Sequence, residues 1–328
     1  MRAPATITTL LLTFSLASCA GGPQEQCLEA SREWIDEAGE LVTASSTRWN
    51  PQGDRVSVRD DLFFLDAVRV TRDLRTPAGL LDATEIRQGT EPDGNLLDRS
   101  RFVYDERGQL VGSWEDVIEL GDLVGRRFLE VIENDDRGLP RRVEIDEDGD
   151  GTFDEVVESR YNPSGELISR NRSRPEGRVV REQRWRYTAA GLLAEYRVHD
   201  SNSVVTADTR LVYDYQAGNL VRTRRWMNGE LETETEYRWD DGLLVEEVGI
   251  THPTGDVIYR TEHVYDDDPW PALKVTFDGE DIETSREELT WDDRGNPLTR
   301  AWISAFSEDY EETRTWTCFV PEPYPDAE

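Results

Sequence analysis

Six aromatic residues stand at one fixed interval in this chain, and that interval limits the fold more than any composition figure does. Tyr161, Tyr187, Tyr213, Trp239, Tyr265 and Trp291 are each 26 residues apart. An aromatic followed by a turn, recurring at constant spacing, marks one small unit copied many times, and such a unit cannot bury a core alone. The array must therefore be the fold.

The clearest unit reads Trp185-Arg186-Tyr187-Thr188-Ala189-Ala190-Gly191-Leu192-Leu193: an aromatic closes a strand, Gly turns the chain, and Leu opens the next strand. Tyr104-Asp105-Glu106-Arg107-Gly108, Tyr161-Asn162-Pro163-Ser164-Gly165 and Trp291-Asp292-Asp293-Arg294-Gly295 repeat the design, and degenerate copies begin at Trp49, Arg75 and Asn134. Ten units result, starting at 49, 75, 104, 134, 161, 187, 213, 239, 265 and 291. Such a unit accommodates two strands of roughly eight residues and two short turns. Asn228-Gly229, Asp278-Gly279 and Thr254-Gly255-Asp256 supply second turns, with the positive φ that tight hairpins need. Between turns the pattern alternates: from Glu232 to Trp239, Thr233, Thr235, Tyr237 and Trp239 share one face and Glu232, Glu234, Glu236 and Arg238 the other. The expected fold is all-β: about ten tandem antiparallel hairpins in one long twisted, curled or closed sheet spanning residues 49–319.

One helix is expected, over residues 23–42, capping an end of the sheet. Cys27, Ala30, Trp34, Ala38 and Leu41 form a stripe at helical spacing, and Pro23 suits a first turn. Residues 320–328, rich in Pro and acid, read as a tail.

The unit resembles the YD repeat of the RHS family, whose signature is Tyr-Asp, then Gly, then Leu. The pair itself stands at Tyr104-Asp105, Tyr213-Asp214 and Tyr265-Asp266; elsewhere it becomes Trp-Asp, Tyr-Asn or Tyr-Thr, and the unit is longer than the family's usual one. The resemblance implies strung hairpins. The toxin shell of large RHS proteins is not implied, because this chain is too short to wind one.

The N-terminus carries a second resemblance. Met1-Arg2 precedes an apolar run from Ile7 to Leu16, too short for a stable transmembrane helix, and the run ends in Leu16-Ala17-Ser18-Cys19. This resembles a bacterial lipobox. It implies a signal peptide over residues 1–18, lipidation at Cys19, and a tether and cap over 19–48. Ala20 rather than Asp after the cysteine points to an outer-membrane location.

The formal charge is −32, and nearly every basic residue is Arg. That balance argues against nucleic acid, whose phosphates need a basic surface. Cys27 and Cys318 flank the array; they are expected either to bond to each other or to remain as free or intermolecular thiols. A bond requires the sheet to curl or close, or the leader to run back along it, because an open sheet of about 20 strands would be on the order of 95 Å wide.

Asp146, Asp148, Asp150, Thr152 and Asp154, with Gly151 at the sixth place, repeat the start of an EF-hand loop and are candidate Ca2+ ligands. Val157 stands where the bidentate Glu belongs, so Glu155 or Glu158 would have to complete the shell; a plain Asp/Gly turn is the alternative. None of His199, His252 and His263 has metal-ligand spacing, nucleophile-elbow and P-loop motifs are absent, and no cofactor is required. A non-enzymatic envelope scaffold or protein-binding module is expected, with a glycan-binding or adhesin role as the alternative. Trp114, Trp270 and Trp302, which lie off the register, are the candidate ligand contacts.

Overall fold

The computed structural model describes residues 26–62, 67–89, 95–119, 122–201, 207–305 and 309–319. Twenty-two strands, β1 to β22, follow one another as an antiparallel meander. The last returns to the first: β1 (Gln26–Asp36) pairs with β2 (Leu41–Trp49) on one side and with β22 (Tyr310–Phe319) on the other. The sheet thus closes into a barrel, which removes the unpaired edge strands that an open array would expose. Cys27 faces Cys318 in the β1–β22 ladder, and a disulfide joins them with Cα atoms 4.0 Å apart.

The expected capping helix is overturned. Residues 26–36 are β1 and Leu41 opens β2, so among the described residues the chain has no helix and the sheet begins well before Trp49. The apolar spacing that read as a helical stripe is overridden by pairing: β1 is the strand that closes the barrel, with backbone partners on both sides. Ile35-Asp36-Glu37-Ala38-Gly39-Glu40-Leu41 is moreover a copy of the repeat turn, with Ile in the aromatic place. Residues 1–25, including Cys19, and the 320–328 tail lie outside the described residues.

Strand parity fixes two rims. Turns that follow even-numbered strands, together with both ends of the β1–β22 sheet, lie at one rim, here the register rim; turns that follow odd-numbered strands lie at the far rim. Among the described residues strands contact their ladder neighbours and no second layer packs on them. Among the described residues the buried apolar side chains are few: Val70, Ala83, Val180, Val275 and Leu289. The barrel is a wall without a packed core; a round ring of 22 strands at ~4.8 Å spacing and ~40° tilt is on the order of 40 Å across.

Turn chemistry explains why the repeat looks as it does. At Asp105 the backbone N–H bonds to the Gln109 carbonyl (2.9 Å) and Gly108 N–H returns to the Asp105 carbonyl (3.0 Å). The Asp105 carboxylate accepts from the amides of Arg107 (2.9 Å) and Gln109 (2.8 Å). Asp135 and Asp292 repeat this set, and the side chains of Asn50, Asn162, Thr76 and Thr188 accept from the amide four residues on. The residue after the aromatic must therefore carry a short side-chain acceptor, which is why Asp, Asn and Thr interchange there. Gly108, Gly138, Gly165, Gly191 and Gly295 all hold positive φ, which a Cβ disfavours.

The aromatic has its own partner. Tyr161, Tyr187 and Tyr265 hydroxyls donate to the carbonyls of Pro140, Leu167 and Leu244 at 2.8–3.0 Å. Trp239, Trp291 and Trp316 Nε1 donate to those of Leu220, Pro271 and Pro297 at 2.7–2.9 Å. Each bond ties one register-rim hairpin to its predecessor. Asn134 Nδ2 makes the same link, to Leu110 (2.8 Å), without an aromatic. In the copy expected at Tyr213, the link is made by Tyr215, to Leu193 (3.0 Å). The turn there is a two-residue one, Ala217-Gly218, both at positive φ.

Candidate functional site

Direct cross-strand partners put side chains on one face, so the ladders sort the wall into two surfaces. One is aromatic and hydroxylic. Trp185, Tyr196, Leu211, Tyr213, Thr223, Thr235, Tyr237, Glu247 and Thr261 follow one another across β12 (Val179–Tyr187) to β18 (Val257–Tyr265). Gln183 Nε2 donates to the Tyr196 hydroxyl (2.7 Å), and burial pushes the Tyr213 and Tyr237 phenols above their ordinary pKa. His263 lies here as well, nearly buried, with Nε2 3.0 Å from Glu247 Oε1.

The opposite surface is ionic. Arg186 and Arg210 share Glu195 (2.8 and 3.0 Å), Arg224 meets Asp214 (2.7 Å), Arg222 meets Glu236 (3.2 Å) and Arg238 meets Glu246 (3.0 Å). Earlier in the chain, burial would push the Glu85 carboxyl up, but hydrogen bonds from Arg87 and Arg99 carry it below its ordinary value. Strands hold 31 of the 37 basic residues and 38 of the 69 acidic ones, a net of −7; the remaining 6 and 31, a net of −25, lie in turns and terminal segments. The acid surplus thus belongs mainly to the rims and termini, while the wall is close to neutral.

The Asp-rich loop occupies the far rim between β9 (Pro140–Asp146) and β10 (Glu155–Tyr161). It brings together one oxygen each of Asp146, Asp148 and Asp154, all within 4.8 Å of one another. Asp146 is buried, and its two oxygens accept from the amides of Gly149 and Gly151 at 2.7 Å each. Asp150 is not in that group and instead accepts from the Thr152 amide (2.7 Å). Glu155 is taken by Arg172 and Arg174, and Glu158 lies 3.4 Å from Arg142, so both carboxylates expected to complete the shell are engaged by cations.

Trp114, Trp270 and Trp302 are not brought together. Trp114 lies on the ionic surface, where its Nε1 donates to the buried Asp116 (2.9 Å) and Arg126 covers the ring at 4.6 Å. Trp270 belongs to a register-rim turn, packs on Trp291 with ring centroids 5.8 Å apart, and fills the space where a Cβ on Gly295 would lie. Trp302, on β21 (Pro297–Ser304), stacks on Tyr310 (6.4 Å, 16°) beneath the Arg300 guanidinium. Tyr310 in turn meets Trp34 edge-on at 5.4 Å. This cluster straddles the seam where the chain ends join. The sequence does not announce it, because Trp34 fits a helical stripe as well as a strand; its one signal is that Trp34 stands outside the aromatic slot of its own unit.

Comparison with known proteins finds no matching family model and no matching curated protein. Among solved structures, the TcdB2-TccC3-Cdc42 crystal structure gives a TM-score of 0.30 at 13% identity over 90% of this chain and 22% of that one. The Photorhabdus luminescens Tc holotoxin pore carrying TccC3-D651A gives 0.29 at 13% identity, over 90% and 22%. This chain thus spans about a fifth of those toxin chains. A porin-like protein from Bacteroides uniformis ATCC 8492 gives 0.32 at 11% identity, over 89% of this chain and 96% of that one. Scores this low assign neither fold nor function.

Proposed function

We propose that this chain is a non-enzymatic, lipid-tethered protein of the bacterial outer membrane, in which the barrel is a rigid hollow scaffold for binding in water beside the bilayer. The observation that carries this reading is the closed wall: 22 strands are spent on one layer, both of whose faces are hydrogen-bonded or ion-paired. A wall with no packed core offers surface and shape rather than a catalytic cleft. Both faces also carry charge within the strands. Arg170, Arg172, Arg225 and Glu287 lie on the aromatic face, and Glu232, Glu234, Glu236 and Arg238 on the ionic one. Either face turned to lipid would place charges in hydrocarbon, at about 2–4 kcal/mol for each Arg near the midplane. A tether at Cys19 supplies the membrane attachment that the wall does not. Because β1 starts at the register rim, that rim would face the bilayer.

Fractionation tests the reading. Wild-type protein should pellet with the outer membrane and resist extraction by high salt, and the Cys19→Ser variant should be released. A Cys19→Ser barrel that still needs detergent for extraction would refute the tethered reading in favour of a spanning one.

The Asp146 loop supports a subsidiary role for Ca2+. Asp146, Asp148 and Asp154 would be its ligands, each with lone pairs left after the loop's own amide bonds. With only three convergent carboxylates, the affinity should be that of a weak extracellular site.

A further inference from the structure

The seam ends in a stretch that the rest of the wall does not flank. β1 pairs with β22 from Gln26 to Asp36, but β2 joins β1 only over Ser31–Ile35, and β21 joins β22 only over Tyr310–Thr313. Toward the register rim, Gln26–Glu29 and Trp316–Phe319 therefore pair with each other and, among the described residues, with no third strand. A two-stranded ribbon is marginal on its own in water. The base of this one is tied in. Trp49 Nε1 donates to the Glu29 carbonyl (2.9 Å), Trp316 Nε1 to that of Pro297 (2.8 Å), and the Ser31 and Thr315 hydroxyls bond across the ladder (2.7 Å). Its tip carries the Cys27–Cys318 disulfide.

That disulfide has a cation beside it. Arg294, exposed in the register-rim turn Asp292–Gly295, donates from Nη1 to Cys27 Sγ at 3.4 Å, and both cysteines are half-buried. The acids around it are engaged. Glu29 is held by Arg32 (3.0 Å) and lies 3.6 Å from Arg314; Asp292 accepts from the Asn296 side chain and from the amides of Arg294 and Asn296. Asp293, the remaining acid of the turn, is exposed. A guanidinium at this distance stabilises the negative charge that a sulfur gains as an S–S bond breaks, and exchange is faster the more stable the departing thiolate. Cys27 is therefore the leaving sulfur and Cys318 the sulfur attacked.

We infer that Cys27–Cys318 is an exchangeable disulfide through which a dithiol frees the ribbon of Gln26–Glu29 and Trp316–Phe319 while the barrel stays closed. One thiolate of the dithiol bonds to Cys318 Sγ; the S–S bond breaks, and its electron pair leaves on Cys27 Sγ. The second thiolate of the dithiol then bonds to the first sulfur, and Cys318 departs as a thiolate. The dithiol is oxidised to its own disulfide, its two electrons reduce the cysteine pair, and its two protons pass to the cysteine thiolates or to water. The ladder from Ser31–Thr315 to Asp36–Tyr310 remains to close the wall. The inference does not depend on the lipid tether, and a soluble outcome in fractionation would leave it standing.

Reduction of the full native chain in detergent by dithiothreitol at neutral pH tests this, read by alkylation of the freed thiols and mass spectrometry. The disulfide should open without denaturant. Arg294→Ala should slow its reduction on the order of fivefold, and Arg294→Lys, which keeps a cation, should recover most of the rate. Arg107→Ala, at the same place in the turn Asp105–Gly108, should leave the rate unchanged. In the reduced protein, hydrogen exchange should show protection lost over Gln26–Glu29 and Trp316–Phe319 and kept over Ser31–Ile35 and Tyr310–Thr313. A disulfide that opens only in denaturant would overturn the inference. So would equal rates for wild type and Arg294→Ala, or loss of protection along the whole of β1 and β22 on reduction.

Discussion

The two rims are made by the same hairpins and differ in what ties one hairpin to the next. At the register rim a Tyr or Trp donor reaches back to the preceding hairpin, as Tyr187 does to Leu167 and Trp239 to Leu220. At the far rim the turn chemistry recurs, with Asp36 and Asp278 each accepting from two amides, but no aromatic precedes them in that role. There the connections diverge: a two-residue Asn228-Gly229 turn, the Asp146 loop, and a turn at His252–Asp256. The register rim is therefore under a shared structural demand, met by Asn134 in place of an aromatic at one hairpin and by a displaced Tyr215 at another, and the far rim varies more. Local chemistry apart from the seam disulfide is expected on the far side, where the Asp146 loop lies.

The comparison can be broken at several points. The largest effect should come from the seam. Cys27→Ser with Cys318→Ser removes a link between residues 291 apart, and on chain-entropy grounds should cost on the order of 5 kcal/mol. Denaturant titration should report it, with β1 and β22 exchanging their amides first. Next, Trp239→Ala should cost about 3 kcal/mol, and Trp239→Phe, which keeps the ring and loses the bond to Leu220, about 1 kcal/mol. Met227→Ala at the far rim should cost less than Trp239→Ala; an equal cost would remove the distinction between rims. Gly165→Ala, at φ +89, should cost about 1–2 kcal/mol.

Calcium should act at the far rim alone. At 5 mM, a millimolar site stabilises by about 1 kcal/mol, visible as a rise in melting temperature that Asp146→Asn abolishes; no shift would exclude the site. The smallest effect concerns the turn carboxylates. The amide of Leu139 holds Asp135, and the Asn296 side chain holds Asp292, below the ordinary carboxylate range. A depressed folded value means their contribution is complete above the unfolded value of about 4 and is lost as the pH falls through the folded one. The double variant Asp135→Asn, Asp292→Asn should therefore melt with a shallower decline as the pH falls below the unfolded carboxylate value of about 4.

Much of this was legible in the residues. Gly at the turn, the short acceptor before it and the aromatic before that are local demands, and local demands leave a spaced signature. Closure was not written in that way. It depends on β1 meeting β22, a pairing of residues almost a chain length apart, and the apolar spacing of residues 27–41 pointed to a helix because Trp34 and Ala38 satisfy a helical stripe as well as a strand and turn. The slot at Tyr215 was hidden for a related reason: Tyr213 keeps the spacing of 26 while the chemistry has moved two residues on. Of the candidate ligand contacts, only Trp302 lies in the aromatic cluster at the seam, because that cluster is assembled from both chain ends.

Hydrogen exchange on β1 and β22 tests closure most directly. In a closed barrel Ser31–Ile35 of β1 and Tyr310–Thr313 of β22 lie between two ladders, and their amides should be protected as well as those of Arg181–Arg184 in β12. Exchange of every second amide in those two segments at the rate of an exposed edge would show an open sheet and contradict the account.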